Sequence, residues 1–139
     1  MDLPLPISIP EDYVPDKTVR LGLYRRLAEL RSINDAEVMR EEFIDRFGAP
    51  PELVKNLFFQ IEIKLISEQI GFSSITTENG QIVMRFPDNE VPENLPELGN
   101  RVRVGKTALW MPYDTKMDWQ HVLQQTLLLI GKTHTHNYH

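Results

Sequence analysis

Residues 53–70 constrain the fold more than any other part of the chain. Their apolar side chains would point in almost every direction around a helix: Leu53, Val54, Leu57, Phe58, Phe59, Ile61, Ile63, Leu65, Ile66 and Ile70. A helix that is apolar all round has to be buried. Pro51 suits the first turn of such a helix, and Gly71 suits a position just beyond its end. The sequence therefore predicts a buried central helix that ends at about Ile70.

Two amphipathic helices are predicted before this central helix. Asp16 can cap the first, over residues 17–31. Asn34 and Glu37 form a capping-box pattern for the second, which should end at Gly48. The predicted core face of the second helix consists of Ala36, Met39, Phe43 and Phe47. Residues 1–16 are rich in proline, which fixes φ and removes a hydrogen-bond donor, so they predict an extended arm or edge strand.

The second half of the chain changes to β patterning. Asn79-Gly80 between residues 74–77 and 81–86 is a strong hairpin signal. Residues 101–104 and 106–111 predict two more strands. A last helix is predicted over residues 116–130, with Thr115 as its cap and Gly131 at its end. Because helices and strands are segregated along the chain, we expect an α+β fold with a small antiparallel sheet of about four short strands and a C-terminal helix. Residues 1–132 should form a single domain, followed by a disordered His-containing tail at 133–139.

Composition and motifs argue against chemistry in this chain. It contains no cysteine, which excludes disulfides and thiolate sites. Gly105-Lys106-Thr107 and Gly131-Lys132-Thr133 lack the upstream glycine of a phosphate-binding loop. His134, His136 and His139 have metal-ligand spacing, but a flexible tail supplies no second shell of supporting groups. We therefore expect no catalytic, cofactor-binding or metal-binding residues, and no enzyme activity.

The charge balance bears on partners and on location. The formal net charge is −5, and an acidic chain lacks the basic field that nucleic acids require. No apolar run approaches the length of about 20 residues that a membrane span needs. A basic protein surface is the expected partner, no membrane is expected, and the natural setting is cytoplasmic.

The second helix carries a group of acids opposite its predicted core face. Taking Phe43 as zero, Glu41 falls at about 160°, Asp45 at about 200° and Glu42 at about 260°. Val38 lies in the same sector and Arg46 borders it. A solvated helix face would look like this. A docking patch for basic side chains, with Val38 as an apolar contact, would look the same, and it requires acids that are exposed and not paired with the domain's own bases.

Several segments resemble the C-terminal domain of the bacterial transcription-repair coupling factors (Mfd). They are residues 5–16 (LPISIPEDYVPD), residues 20–27 (RLGLYRRL) and, most specifically, residues 42–48 (EFIDRFG), followed by Pro51 and residues 56–58 (NLF). The resemblance covers residues 2–72 well. It is to the end of a far larger protein, so we expect this chain to be an excised fragment.

The resemblance implies a regulatory role. Family members are ATP-driven DNA translocases that push stalled RNA polymerase off damaged DNA and recruit nucleotide excision repair, and ATP is used by upstream motor modules. The C-terminal domain is autoinhibitory: it docks on a UvrB-like N-terminal module of the same protein and masks its UvrA-binding surface. An acid pair three residues apart meets arginines of that module, and the matching positions here are Glu42 and Asp45.

A second hypothesis remains open beside docking. The predicted strands carry Arg85, Arg101, Arg103 and Lys106, which could serve an accessory DNA- or protein-binding domain. Tight and steeply salt-dependent binding would favour a nucleic-acid partner.

Overall fold

The chain folds into four α-helices and one four-stranded sheet in a computed structural model that describes residues 1–113 and 118–136, with side chains up to Lys132. The elements are α1 (Lys17–Ala28), α2 (Ile33–Phe47), α3 (Glu52–Ile70), β1 (Ser74–Glu78), β2 (Gln81–Arg85), β3 (Arg103–Val104), β4 (Ala108–Pro112) and α4 (Trp119–His136). All strand pairs are antiparallel, so the predicted α+β fold is confirmed. No helix in the described ranges is both long and apolar enough to cross a membrane.

Two compact units make up the chain. The helical unit is Leu5–Leu65, and the sheet unit is Met1–Pro4 with Ile66–His139. Helix α3 supplies residues to both. The single domain expected over residues 1–132 stays a prediction.

The helical unit is built on one apolar cluster. Its buried members come from the arm and from all three helices: Ile9, Val14, Leu23, Leu27, Met39, Phe43, Val54, Leu57 and Phe58. The Phe43 ring meets the rings of Phe47 and Phe58 edge-on, at centroid distances of 5.9 and 5.0 Å. The predicted core face of α2 is therefore confirmed for Ala36, Met39 and Phe43, which are buried.

Helix ends follow side-chain hydrogen bonding. The Asp16 carboxylate accepts from the backbone N–H groups of Thr18 and Val19, so the predicted cap of α1 is confirmed. The predicted cap of α2 is wrong. Ser32, not Asn34, precedes the helix, and its hydroxyl accepts from Asp35 N at 3.1 Å. Serine is as good an N-cap as asparagine, which is why the spacing alone did not separate the two. Gly48 ends α2 with φ +90°.

The arm contains no strand, and its end folds into a turn in which Tyr13 N and Val14 N donate to Pro10 O. In the helical unit the Tyr13 hydroxyl donates to Gly48 O at 2.8 Å, and Ile9 N donates to the Tyr24 hydroxyl at 2.6 Å. In the sheet unit Asp2 N donates to Ile75 O at 3.0 Å. The arm is thus anchored by hydrogen bonds and by buried apolar residues, not by a regular β ladder.

The sheet has the strand order β1-β2-β4-β3. The predicted hairpin is confirmed, because Asn79 and Gly80 both have positive φ, at 51° and 75°, as a tight two-residue turn requires. The third strand is shorter than expected and the fourth begins later. The third strand loses its first two residues because the chain turns at residues 100–101. The fourth begins later because of a turn in which Gly105 N donates to Ala108 O at 2.9 Å.

Helix α4 contradicts one expectation. It continues through Gly131 to His136, so Gly131 is not its end. The disordered tail expected at residues 133–139 stays a prediction. A glycine inside a helix costs about 1 kcal/mol. That cost does not stop a helix that buries Leu123, Leu127 and Ile130. The proposed cap Thr115 and residues 137–139 lie outside the described residues.

Candidate functional site

The outward side of α2 carries most of the predicted docking residues. We call Val38, Glu41, Glu42, Asp45 and Arg46 the α2 acidic face. Val38 keeps 58% of its surface exposed, and Glu41, Asp45 and Arg46 are also exposed. The helical arrangement predicted for these residues is therefore observed, and Ile44 adds a second exposed apolar side chain nearby on the helix.

Glu42 differs from the other two acids because it is already paired. Arg26 of α1 grips its carboxylate with two hydrogen bonds, from Nη1 to Oε2 at 2.5 Å and from Nη2 to Oε1 at 2.7 Å. Arg46, one turn further along α2, donates from Nη1 to Oε2 at 3.1 Å. The Glu42 side chain is 31% exposed. It is accessible to solvent and at the same time occupied by two arginines.

The electrostatics of Glu42 reflect this pairing. The hydrogen bonds from Arg26, followed by the weaker one from Arg46 and the attraction of both charges, lower the Glu42 pKa to about 2, against the opposing effect of partial burial. The carboxylate is therefore ionised at any physiological pH. Glu42 thus fails the requirement that the docking acids be free of the domain's own bases.

Glu41 and Asp45 meet that requirement. Within residues 1–113 and 118–132, neither side chain forms an ion pair or a hydrogen bond with another residue. Arg46 is held in place on one side of them, since its guanidinium lies 4.8 Å from the centroid of the Phe47 ring. The unpaired charge of the α2 acidic face therefore lies at Glu41 and Asp45.

A shallow cleft of about 300 Å³ opens beside the α2 acidic face. Its lining is mixed: Arg26, Glu29, Leu30, Asp35, Val38 and Met39. Arg26 thus borders the cleft while it binds Glu42. The cleft offers apolar contact next to the exposed acids, which suits a partner side chain with an apolar stem and a charged end.

The basic strand residues form a second candidate site in the sheet unit. An open cleft of about 420 Å³ is lined by Gln81, Asn100, Arg101, Arg103, Trp110 and Pro112. Arg103 and Trp110 are cross-strand partners, and the guanidinium lies 4.9 Å from the ring centroid. The cleft combines two exposed arginines with an aromatic ring, which sequence reasoning missed because the register of β3 on β4 brings Trp110 to them.

The other two basic residues proposed for this surface do not join the cleft. Arg85 donates to both oxygens of Glu78, at 2.5 and 3.2 Å, and is therefore neutralised within the sheet. Lys106 is exposed in the turn after β3 and does not line the cleft.

Among the acids and histidines of the described residues, no group of three or more side chains is arranged to hold a metal ion. The side chains of His134, His136 and His139 lie outside the described part of the chain.

A comparison with protein families shows which family this chain belongs to. The model of the TRCF domain family matches residues 3–95, well over half of the chain. The chain belongs to the TRCF domain family. The match includes the whole α2 acidic face and runs beyond residue 72, where the sequence resemblance had become undiagnostic.

Relatives of the TRCF domain are transcription-repair-coupling factors. The protein of Rickettsia bellii is 34% identical over 89 residues, which are 64% of this chain and 8% of that protein. The Escherichia coli protein is 28% identical over 92 residues, 66% of this chain and 8% of that protein. The chain therefore spans less than a tenth of the length of these curated relatives.

A solved structure supports the fold of the TRCF domain. The crystal structure of the C-terminal domain of a transcription-repair coupling factor superposes with a TM-score of 0.73 and covers 95% of this chain and 88% of the other. At 20% sequence identity this similarity shows the fold alone.

Proposed function

We propose that this TRCF domain is a non-catalytic docking domain that closes on the UvrB-like module of its own protein and masks the UvrA-binding surface of that module. The observation that carries the proposal is the α2 acidic face, where Glu41 and Asp45 are exposed and unpaired among the described residues beside the apolar Val38. The family membership supports it. The domain itself would need no cofactor.

The charges suit a partner that carries arginines. A carboxylate and a guanidinium can form two parallel hydrogen bonds, which fixes the register of two surfaces as well as attracting them. Glu42 and Asp45 stand three residues apart on α2, so two arginines could reach adjacent acids. Because Glu42 is held by Arg26 and Arg46, Asp45 would be contacted first.

A weak interface is enough for such a domain. A docking domain joined to its target by the same chain acts at an effective concentration in the millimolar range. Charge pairs at the edge of an interface contribute more to specificity and register than to affinity. Masking could then be reversed by a modest change elsewhere in the protein, which would expose the UvrA-binding surface.

The test measures binding of the 139-residue chain to the purified UvrB-like module by calorimetry. The Glu41→Gln/Asp45→Asn double variant should bind about 2- to 30-fold more weakly, since each exposed ion pair contributes about 0.2–1 kcal/mol. Glu68→Gln/Glu93→Gln is the matched control, because it also removes two charges, from exposed acids that lie outside α2.

Two outcomes would contradict the proposal. If the wild-type chain does not bind the module, the docking function is wrong. If it binds and the double variant binds equally well, docking uses another surface. In the full-length protein, the double variant should also bind UvrA more readily than wild type does.

A second candidate function rests on the cleft with Arg101, Arg103 and Trp110. Aromatic rings and arginines together are typical of surfaces that bind nucleic-acid strands or acidic protein segments. The same calorimeter cell, filled with a single-stranded oligonucleotide at low salt, separates this candidate from docking. Binding that weakens steeply with salt and is lost in Arg101→Gln/Arg103→Gln would support it.

A further inference from the structure

The Glu42 carboxylate has little hydrogen-bonding capacity left for a partner. An ionised carboxylate offers about four lone-pair positions. Arg26 fills one on each oxygen, and Arg46 fills a second on Oε2. Two parallel hydrogen bonds from a second guanidinium would need the side of the carboxylate on which Arg26 already binds both oxygens. A guanidinium that approaches from outside could therefore make one hydrogen bond, to Oε1, and could make two only after Arg26, not Arg46, has moved away.

The two arginines that hold Glu42 are not held equally themselves. Arg46 lies on the same helix, and the Phe47 ring supports its guanidinium. Arg26 reaches across from α1 and is 49% exposed, and its side chain makes no other polar contact among the described residues. Arg26 is therefore the arginine that can swing away from Glu42.

A displaced Arg26 would find other acids close by. Glu29 and Asp35 line the same cleft as Arg26, and neither side chain is engaged in an ion pair with any residue that the structure describes. Exchange of one carboxylate for another at an exposed site costs little. The geometry thus provides both a bound and a released position for this side chain.

We propose that Arg26 is an internal competitor that weakens docking: it has to release Glu42 before an arginine of the partner can pair with that carboxylate through two hydrogen bonds. The inference rests on the proposed docking function and adds its regulation. Docking then replaces the Arg26–Glu42 ion pair with a new pair between Glu42 and the partner. The net gain in binding free energy is small, so the docked domain can still be released.

The experiment compares two arginines that follow one another on α1. Arg26→Gln should bind the UvrB-like module about 1.4- to fivefold more tightly than Arg25→Gln, the fold-change expected for one exposed ion pair. Both substitutions remove one positive charge, so the general increase in acidity is the same. Arg25 is exposed and forms no ion pair among the described residues, which makes it the matched control.

The same comparison in a Glu42→Gln background shows whether the tighter binding of Arg26→Gln depends on the Glu42 carboxylate. In that background Arg26→Gln and Arg25→Gln should bind the module equally well. Equal binding by Arg26→Gln and Arg25→Gln, or a gain that persists without the Glu42 carboxylate, would overturn the inference while leaving docking intact. Should the wild-type chain and every variant fail to bind, docking itself is wrong, and the competitor role with it.

A second variant serves if Arg26→Gln is too unstable to use. Arg26→Lys keeps the charge but cannot form the two parallel hydrogen bonds. It should therefore also bind the UvrB-like module more tightly than the wild-type chain does. Nuclear magnetic resonance of the Glu42 carboxyl should show a higher pKa in either variant, which reports the loss of the internal pair independently of any partner.

Discussion

Two glycines show how differently the same residue is used in this chain. Gly22 lies inside α1, and a Cβ added there would meet no atom within 4 Å. Gly105 lies in the turn after β3, where a Cβ would overlap the ring of Trp110. The Trp110 ring occupies the space beside Gly105, and the same ring lines the cleft that contains Arg101 and Arg103.

Alanine at these two positions should have opposite effects on stability. Gly22→Ala should raise the free energy of unfolding by about 0.5–1 kcal/mol, because alanine restricts the unfolded chain and suits a helix. Gly105→Ala should lower it by about 1–3 kcal/mol, because the ring has to move. Urea unfolding at constant pH measures both. A Gly105→Ala protein as stable as wild type would show that the indole is free to relocate.

Glu42 shows what residue patterns can and cannot predict. The helical period placed Glu41, Glu42 and Asp45 on one outward side of α2, and all three lie there. The period of one helix holds no information about its neighbours, so the pair with Arg26, sixteen residues earlier on α1, was not foreseen. The availability of a charged side chain depends on tertiary packing even when its exposure can be read from the sequence.

At the level of elements, α2 and α3 are joined by an ion pair inside the helical unit. Arg40 of α2 pairs with Glu62 of α3, whose side chain is only 13% exposed. Burial raises the Glu62 pKa, and the charge of Arg40 opposes that shift.

Arg40→Met should therefore destabilise the protein by about 1–3 kcal/mol, since it leaves a largely buried carboxylate without its partner. Methionine keeps much of the apolar contact that Arg40 makes near the Phe58 ring. In a Glu62→Gln background the same substitution should cost clearly less. Urea unfolding of the wild type, the two single variants and the double variant gives the coupling free energy between Arg40 and Glu62. An equal loss in both backgrounds would assign the effect of Arg40 to packing alone.

Element boundaries were predictable where one local signal dominated. Asp16, Gly48, Gly71 and Asn79-Gly80 each lie where the sequence put an end or a turn. The errors came where two signals competed, as with Ser32 and Asn34, or where tertiary burial outweighed a local preference, as at Gly131 in α4.

For the whole molecule, segregation of helices and strands along the chain was enough to predict the α+β class. Strand order was not predictable. The pairing of β2 with β4 joins segments separated by residues 86–107, which include β3, and no local signal encodes it. The cleft beside Trp110 depends on that sheet. The sequence pattern grouped Arg85, Arg101, Arg103 and Lys106 into one surface, but only Arg101 and Arg103 line the cleft.

Among the described residues, each compact unit contains one carboxyl group whose pKa is strongly lowered, and the two groups together predict how stability responds to acid. The Glu42 pKa is lowered to about 2, mainly by hydrogen bonds from Arg26, and the Glu78 pKa is lowered to about 2, mainly by hydrogen bonds from Arg85. In the unfolded chain both groups titrate near 4.5. Their stabilising effect is therefore complete above about pH 4.5.

Below that pH the unfolded chain binds protons that the folded chain does not, so the free energy of unfolding should fall as the pH falls from about 4.5 to about 2. Glu42→Gln should lower the free energy of unfolding by about 0.2–1 kcal/mol at pH 7. In both Glu42→Gln and Glu78→Gln, the free energy of unfolding should fall less steeply with acid than it does in the wild type. Glu62 acts in the opposite sense, because its raised pKa makes protonation favour the folded state. Urea unfolding of each variant and of the control Glu68→Gln at pH 7, 4 and 3 tests this. If Glu42→Gln parallels the control over the whole range, the Arg26–Glu42 pair does not persist in solution, and the α2 acidic face presents three free acids to its partner.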